Sequence, residues 1–285
     1  VERFLAREFS HDARTRGMGL GAIHYPYNGI DVVGHDGGTT TFVSHFGLAR
    51  GHDLMFYASF SGPGAASIIY EHLVWPFYDE FFNSERAELT PPADFTERGG
   101  KYVGTYHTWR GSFSKVESLL RMAMGREVTM TPDGTLMIAG REFVEEDVNL
   151  FRERDGETRY AFQEDAQGNV TGMIQDGFAV MQFYKAPAYA GARFAGPLLA
   201  LSFIVFAGVF LRWGYQRKQV QSLPQPERRA FNASIYVAAA NWVFLIVMGL
   251  ALMLNADTLM YEIPGLLKFS LVFPMLAVIA ALYHL

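Results

Sequence analysis

The chain has no cysteine among its 285 residues, which excludes a disulfide framework, a cysteine nucleophile and a thiolate metal site. It also lacks a surplus of positive charge. With a formal net charge of −5 it offers no concentrated Lys and Arg surface of the kind that phosphates require, so a nucleic-acid partner is excluded. The first residue is Val1, with neither an initiator Met nor a signal-peptide pattern around it. Because the topology derived below requires export, an N-terminal portion is expected to have been lost.

Charge is nearly absent from three runs, residues 194–213, 235–254 and 266–285. Each is about 20 residues long, enough for a helix to cross a hydrocarbon core of roughly 30 Å. Their only Lys or Arg residues, Arg212 and Lys268, lie near the ends, as do Trp213, Tyr236 and Tyr283; Tyr215 and Tyr261 flank the runs. Aromatic residues favour that interface. Arg217, Lys218, Arg228 and Arg229 sit between the first two runs, whereas the next connection carries Asp257 and Glu262 and no Lys or Arg. By the positive-inside rule the loop 214–230 is cytoplasmic and residues 1–193 lie outside, in the periplasm or the extracellular space. The lipid bilayer is thus an expected partner, and a fourth span beyond Leu285 stays open.

Residues 99–187 contain short alternating runs divided by Pro132-Asp133-Gly134, Asp155-Gly156, Gln167-Gly168-Asn169 and Asp176-Gly177. This pattern predicts a small antiparallel β barrel or sandwich, lipocalin-like in scale, joined to what precedes it by a linker over residues 89–98. An amphipathic stretch, Ser114 to Met124, is expected to cap the barrel or to lie on a membrane surface. Ser112 and Lys115 match a Ser-x-x-Lys spacing, but in a strand-to-loop context that gives them no catalytic role.

Residues 1–88 read as strands followed by a helix. The series is Gly17-Met18-Gly19-Leu20-Gly21, Ile30 to Val33, the turn Gly34-His35-Asp36-Gly37-Gly38, Phe42 to Leu48 and Leu54 to Phe60, with Arg50 to Asp53 as a hairpin turn. A helix over residues 64–82 carries Ile68, Ile69, Leu73, Val74, Phe77 and Tyr78, and Pro76 is expected to kink it. On its own, Gly34 to Gly38 reads as a hairpin with a half-exposed histidine. His11, His24, His35, His45 and His52 lack the spacing of a metal site, and His45 and His52 are expected at separate surface positions.

The order Gly-x-Gly-Leu-Gly, strand, Gly-His-x-Gly-Gly, strand, strand and helix resembles the end of the β-lactamase-related serine hydrolases, a family of class C β-lactamases, penicillin-binding proteins and esterases. The resemblance covers about residues 10–82. It implies an α+β fold whose C-terminal antiparallel sheet and helix lead into the barrel and then into α-helical transmembrane segments. It places His35 and Asp36 on the strand that edges an active site, Gly37 where a side chain would block an acyl group, and Gly38 as an oxyanion donor worth roughly 3 kcal/mol. The family's Ser-x-x-Lys and Tyr-x-Asn motifs lie upstream of this point and have no counterpart here. The resemblance therefore implies the C-terminal portion of a membrane-anchored hydrolase, inactive by itself. Its expected substrate is a small molecule or peptide, namely a β-lactam, a D-amino acid peptide or an ester, and no cofactor is implied. The alternative is a non-catalytic membrane receptor or assembly protein.

Overall fold

A computed structural model of the chain describes all residues except 40, 63, 83–86, 115–117, 119–123, 191, 256–257, 259–261 and 283–285, and the side chains of 192, 193 and 195. Most of the amphipathic stretch from Ser114 to Met124, with Lys115, lies outside the described residues, as do Tyr261 and Tyr283. The fold is α+β, in two units, Val1–Ala188 and Tyr189–Leu285.

After a short helix (Glu2–Leu5) the first unit forms a four-stranded antiparallel sheet of consecutive hairpins, β1 (Ile23–Tyr27), β2 (Ile30–Gly38), β3 (Phe42–Ala49) and β4 (Leu54–Ser61). The run Gly17 to Gly21 contributes only single bridges through Met18, to Phe9 and Ile23. The Gly-His-Asp-Gly-Gly pentapeptide is not a turn. It is the second half of β2, paired residue for residue with β3 from Gly34↔Gly47 to Gly38↔Val43. Gly34 serves close approach rather than reversal: a Cβ there would stand 1.8 Å from the Phe46 carbonyl oxygen.

One face of the sheet buries Ile23, Tyr25, Val32, Ala49 and Ala58 against Ile69, Val74 and Tyr78. Those last three come from the predicted helix, which is in fact three pieces: α1 (Ala65–Ile69), a π-helical turn (Tyr70–Val74) and α2 (Trp75–Phe81). Pro76 sits at the start of α2, where it lacks an amide hydrogen to give and crowds the carbonyl four residues back. The wider π turn accommodates that defect without a sharp break.

Eight antiparallel strands then close into a barrel: β5 (Gly104–Thr108), β6 (Arg126–Met130), β7 (Leu136–Ile138), β8 (Arg141–Asp147), β9 (Leu150–Glu153), β10 (Arg159–Glu164), β11 (Val170–Gln175) and β12 (Gln182–Lys185). The ring shuts by β12 pairing with β5, so no sheet edge remains. The four turn signals named above all fall in connections between strands. The interior is filled. Tyr102 stacks on Phe95 at 6.0 Å and meets Phe151 and Phe162 edge-on or tilted at 4.9 Å. Each such fully buried ring is worth roughly 1.5–3 kcal/mol. Phe95, inside the expected linker, is fully buried on a short helix (Phe95–Arg98), so that segment closes the barrel core rather than merely joining two domains.

Sheet and barrel are joined by polar contacts. The Arg16 amide donates to Asp176 Oδ1 at 2.6 Å, and its guanidinium donates to the Tyr25 carbonyl and pairs with Glu157 at 3.8 Å. Arg14 reaches Asp147 at 3.0 Å. Gly177, at φ +71°, lets the chain pass Pro26, whose Cδ would be 2.4 Å from an added Cβ.

The second unit is helical. Three helical stretches are long and apolar enough to cross a membrane: Gly196–Val220, Gln225–Asn255 and Gly265–Leu282. The first two are longer than the apolar runs suggest, because nothing in Arg217 to Val220 or Glu227 to Arg229 breaks a helix. The expected cytoplasmic loop 214–230 is therefore mostly helical, and the reversal is confined to Gln221–Pro224, where Pro224 stands just ahead of the second helix.

Candidate functional site

The pleat of β2 separates the four residues that the sequence grouped. Successive side chains alternate between faces, so Asp36 points with Val32 toward the helices while His35 and Gly37 point the other way. His35 is exposed, and its Nδ1 donates to the Asp36 backbone oxygen at 2.6 Å. A Cβ on Gly37 would meet the Ser44 hydroxyl at 2.6 Å, and one on Gly38 would meet nothing. The four do not form one site. On the outward face Phe42, Phe46, Met55 and Tyr57 are exposed.

Asp36 instead joins its cross-strand partner His45. Their side chains share a face because directly opposed residues in an antiparallel pair do. His45 Nδ1 donates to Asp36 Oδ1 at 2.6 Å; the His45 side chain is fully buried and that of Asp36 is 23 % exposed. His45 is thus an interior residue and not the surface histidine expected. Its other ring nitrogen, Nε2, is buried without a hydrogen-bond partner among the described residues.

Tyrosines surround this pair. Tyr25 and Tyr27 come from alternate positions at the end of β1, Tyr70 from the π turn and Tyr78 from α2. Tyr27 stacks on Tyr78 at 4.5 Å and on Tyr25 at 5.5 Å, and Tyr70 lies edge-on to His45 at 6.3 Å. Burial drives all four phenols upward in pKa, Tyr78 to about 12, and the Asp36 charge adds to the rise at Tyr25, Tyr27 and Tyr70. The Tyr25 hydroxyl feels that carboxylate yet falls short of a hydrogen bond with it. All four hydroxyls stay neutral at physiological pH.

The cluster opens into a cavity of about 470 Å³ within the first unit, between the sheet and the barrel. Asp36, Tyr25, Tyr27, Tyr70, Trp75 and Tyr78 form one wall; β8, β9 and the β9–β10 and β11–β12 connections form the other, through Arg141, Glu153, Asp155, Glu157, Asp176 and Phe178. The Arg141 guanidinium lies over the Trp75 ring, 5.3 Å from its centre, and reaches Glu153 at 3.2 Å. The Asn28 amide donates to Asp79 at 2.8 Å. A concave, mostly prebuilt cavity of this size with converging polar groups has the form of a small-molecule site. Among the described residues no three His, Asp or Glu side chains gather to hold a metal ion. His11 bonds the Ala179 carbonyl, His24 meets Asp31 and His52 packs on Phe82.

One signal in the sequence pointed to His45. It falls in step with Val43, Gly47 and Ala49 on the face that packs inward, and a titratable ring there requires a polar partner. The partner could not be read, because register decides it.

No protein-family model matches the chain, and no curated protein matches it. Among solved structures it is similar to a crystal structure of SurE with D-Leu, at 18 % identity and a TM-score of 0.36, covering 65 % of this chain and 43 % of that one. A second SurE structure gives 18 %, 0.33, 65 % and 41 %. The chain thus spans less than half of either SurE chain, and at these scores the likeness carries neither family nor activity. The expected membership of the β-lactamase-related serine hydrolases is corrected: no family model supports it, and the two similar structures named above are of SurE. The roles that it implied for His35, Asp36, Gly37 and Gly38 lose their basis.

Proposed function

We propose that the protein is a membrane-anchored, non-catalytic binding protein whose first unit faces the cell exterior or periplasm and takes a small molecule or short peptide in the sheet–barrel cleft. The observation that carries this reading is the convergence on one cavity of Asp36, held by a buried histidine, and four neutral phenols. Such a cluster is expensive to bury, and a folding core gains little from it that leucine would not supply. The helical second unit supports the anchor. Arg217 and Lys218 at the end of its first long helix and Arg228 and Arg229 near the start of the next support a cytoplasmic reversal there, and hence an outward-facing first unit.

Binding is tested on the full chain in lipid nanodiscs by tryptophan fluorescence, against a panel of amines, carboxylates, sugars and short peptides. Ligands that reach the cleft perturb Trp75, and the Trp75→Phe variant loses the signal. Thr158→Trp, which fills the cavity wall, abolishes binding while the melting temperature is kept. A panel with no binder, or a Thr158→Trp variant that binds as the wild type does, would overturn the reading.

A further inference from the structure

The charge of the cleft selects its ligand. Six carboxylate side chains line it, Asp36, Asp79, Glu153, Asp155, Glu157 and Asp176, against one guanidinium among the described lining residues, Arg141. Arg141 is already engaged by Glu153 and Trp75. Arg16 pairs with Glu157, and its amide donates to Asp176. Asp36 differs from these. Among the described residues it pairs with no Lys or Arg, only with His45.

Asp36 takes a donor from His45 and has acceptor capacity left over. A carboxylate accepts only, and a phenol oxygen accepts as readily as it donates. Tyr25 and Tyr70 lie close enough for the Asp36 charge to act on both. Tyr78, 1 % exposed, backs the same cavity with its buried hydroxyl beside Gly47. A primary ammonium brings one positive charge and three donors, which is the complement of this set. An anionic ligand would meet like charge on both walls.

We propose that the cleft binds a primary ammonium group, anchored on Asp36 with the hydroxyls of Tyr25 and Tyr70 beside it. The proposal rests on the reading of the cleft as a ligand site and names the ligand's chemistry. A volume of about 470 Å³ suits an amine on a small organic body. A free amine and the N-terminus of a short peptide present the same group.

The test is calorimetry on the full chain in nanodiscs with phenethylamine, 3-phenylpropionate, 3-phenylpropionamide, and trialanine with a free or an acetylated N-terminus. Phenethylamine or free trialanine is expected to bind, more weakly as ionic strength rises, and the anion, the amide and the acetylated peptide are not. Which of the two binds tells small amine from peptide N-terminus. Asp36→Asn, which keeps an acceptor for His45, is expected to weaken the amine about tenfold or more. Should that variant not fold, Tyr70→Phe removes one acceptor from a half-buried position and is expected to weaken it about threefold or more. Equal binding of the anion or the amide, or unchanged amine affinity in the variant that folds, overturns the ammonium assignment and leaves the cleft a ligand site. Binding by none of the five overturns both.

Discussion

His45 Nδ1 lies 2.6 Å from Asp36 Oδ1 across the β2–β3 pair, with the imidazole fully buried and the carboxylate turned to a cavity. A hydrogen bond to a charged group contributes about 1.5–3 kcal/mol, and the partial exposure of Asp36 places this one near the lower end. His45→Ala removes the bond, opens a hole among Tyr25, Tyr70 and Phe56, and leaves the carboxylate unpaired. The expected loss is about 2–4 kcal/mol, read as a lower melting temperature of the full chain in nanodiscs. Asp36→Ala is expected to cost less, and the double variant little more than His45→Ala alone. Additive losses would show that the two side chains are not coupled.

The glycines of β2 are expected to differ sharply. Gly34→Ala drives a methyl into the Phe46 carbonyl, a backbone atom that moves only if the strands part, so a loss of about 3 kcal/mol or failure to fold is expected. Gly37→Ala meets a hydroxyl that rotates away, and Gly38→Ala meets nothing. Melting temperatures in the order Gly34 far below Gly37, and Gly37 at or below Gly38, are the outcome to look for.

Gly177→Ala acts where the barrel meets the sheet. The positive φ costs roughly 1–2 kcal/mol and the contact with the Pro26 ring adds to it. Because the clash lies on the wall of the cleft, ligand affinity and melting temperature are both expected to fall. A lower melting temperature with unchanged affinity would mean that the cleft does not depend on this junction.

Asp176 makes the junction sensitive to pH. It is 3 % exposed, and burial raises its pKa above the ordinary 3.8, opposed by the Arg16 amide and by the charges of Arg16 and Arg159. A raised acid keeps its proton longer in the folded state than in the unfolded one. Its protonated form therefore favours folding below 3.8, and that benefit is lost as pH rises through the higher folded value. Asp176→Asn does not titrate. Its stability relative to the wild type is expected to increase as pH rises from about 4 and then to level off, in melts taken across that range. A difference that is flat with pH would refute the raised pKa.

The absence of cysteine makes topology directly measurable, since any single introduced thiol is the only one present. Ser222→Cys, in the short reversal between the two long helices, is expected to resist an impermeant maleimide until the membrane is broken. Thr90→Cys, exposed in the first unit, is expected to react at once in intact cells or spheroplasts. The opposite pattern inverts the protein in the membrane.

Element types were largely legible in the residues. Turn signals such as Pro132-Asp133-Gly134 marked barrel connections, because glycine and proline act on the local backbone alone. The second helix of the membrane unit, Gln225–Asn255, is longer than its apolar run, since apolarity reports the hydrocarbon core while the helix itself continues until something such as Pro224 stops it. In sequence, Gly34 to Gly38 fits a turn as well as a strand, because glycine permits both uses. Only the closeness of Phe46 in the neighbouring strand tells the two apart.

What the residues determined by themselves is the set of short-range facts: an apolar run long enough to span a membrane, alternation along part of some strands, a proline near the start of a helix. The pairing of Asp36 with His45, the meeting of Tyr25 and Tyr27 with Tyr70 and Tyr78, and the cleft against the barrel were decided only by the tertiary structure. Periodicity states which residues share a face. Register, a π turn and the docking of two modules decide what that face meets, and those depend on contacts between segments far apart in the chain.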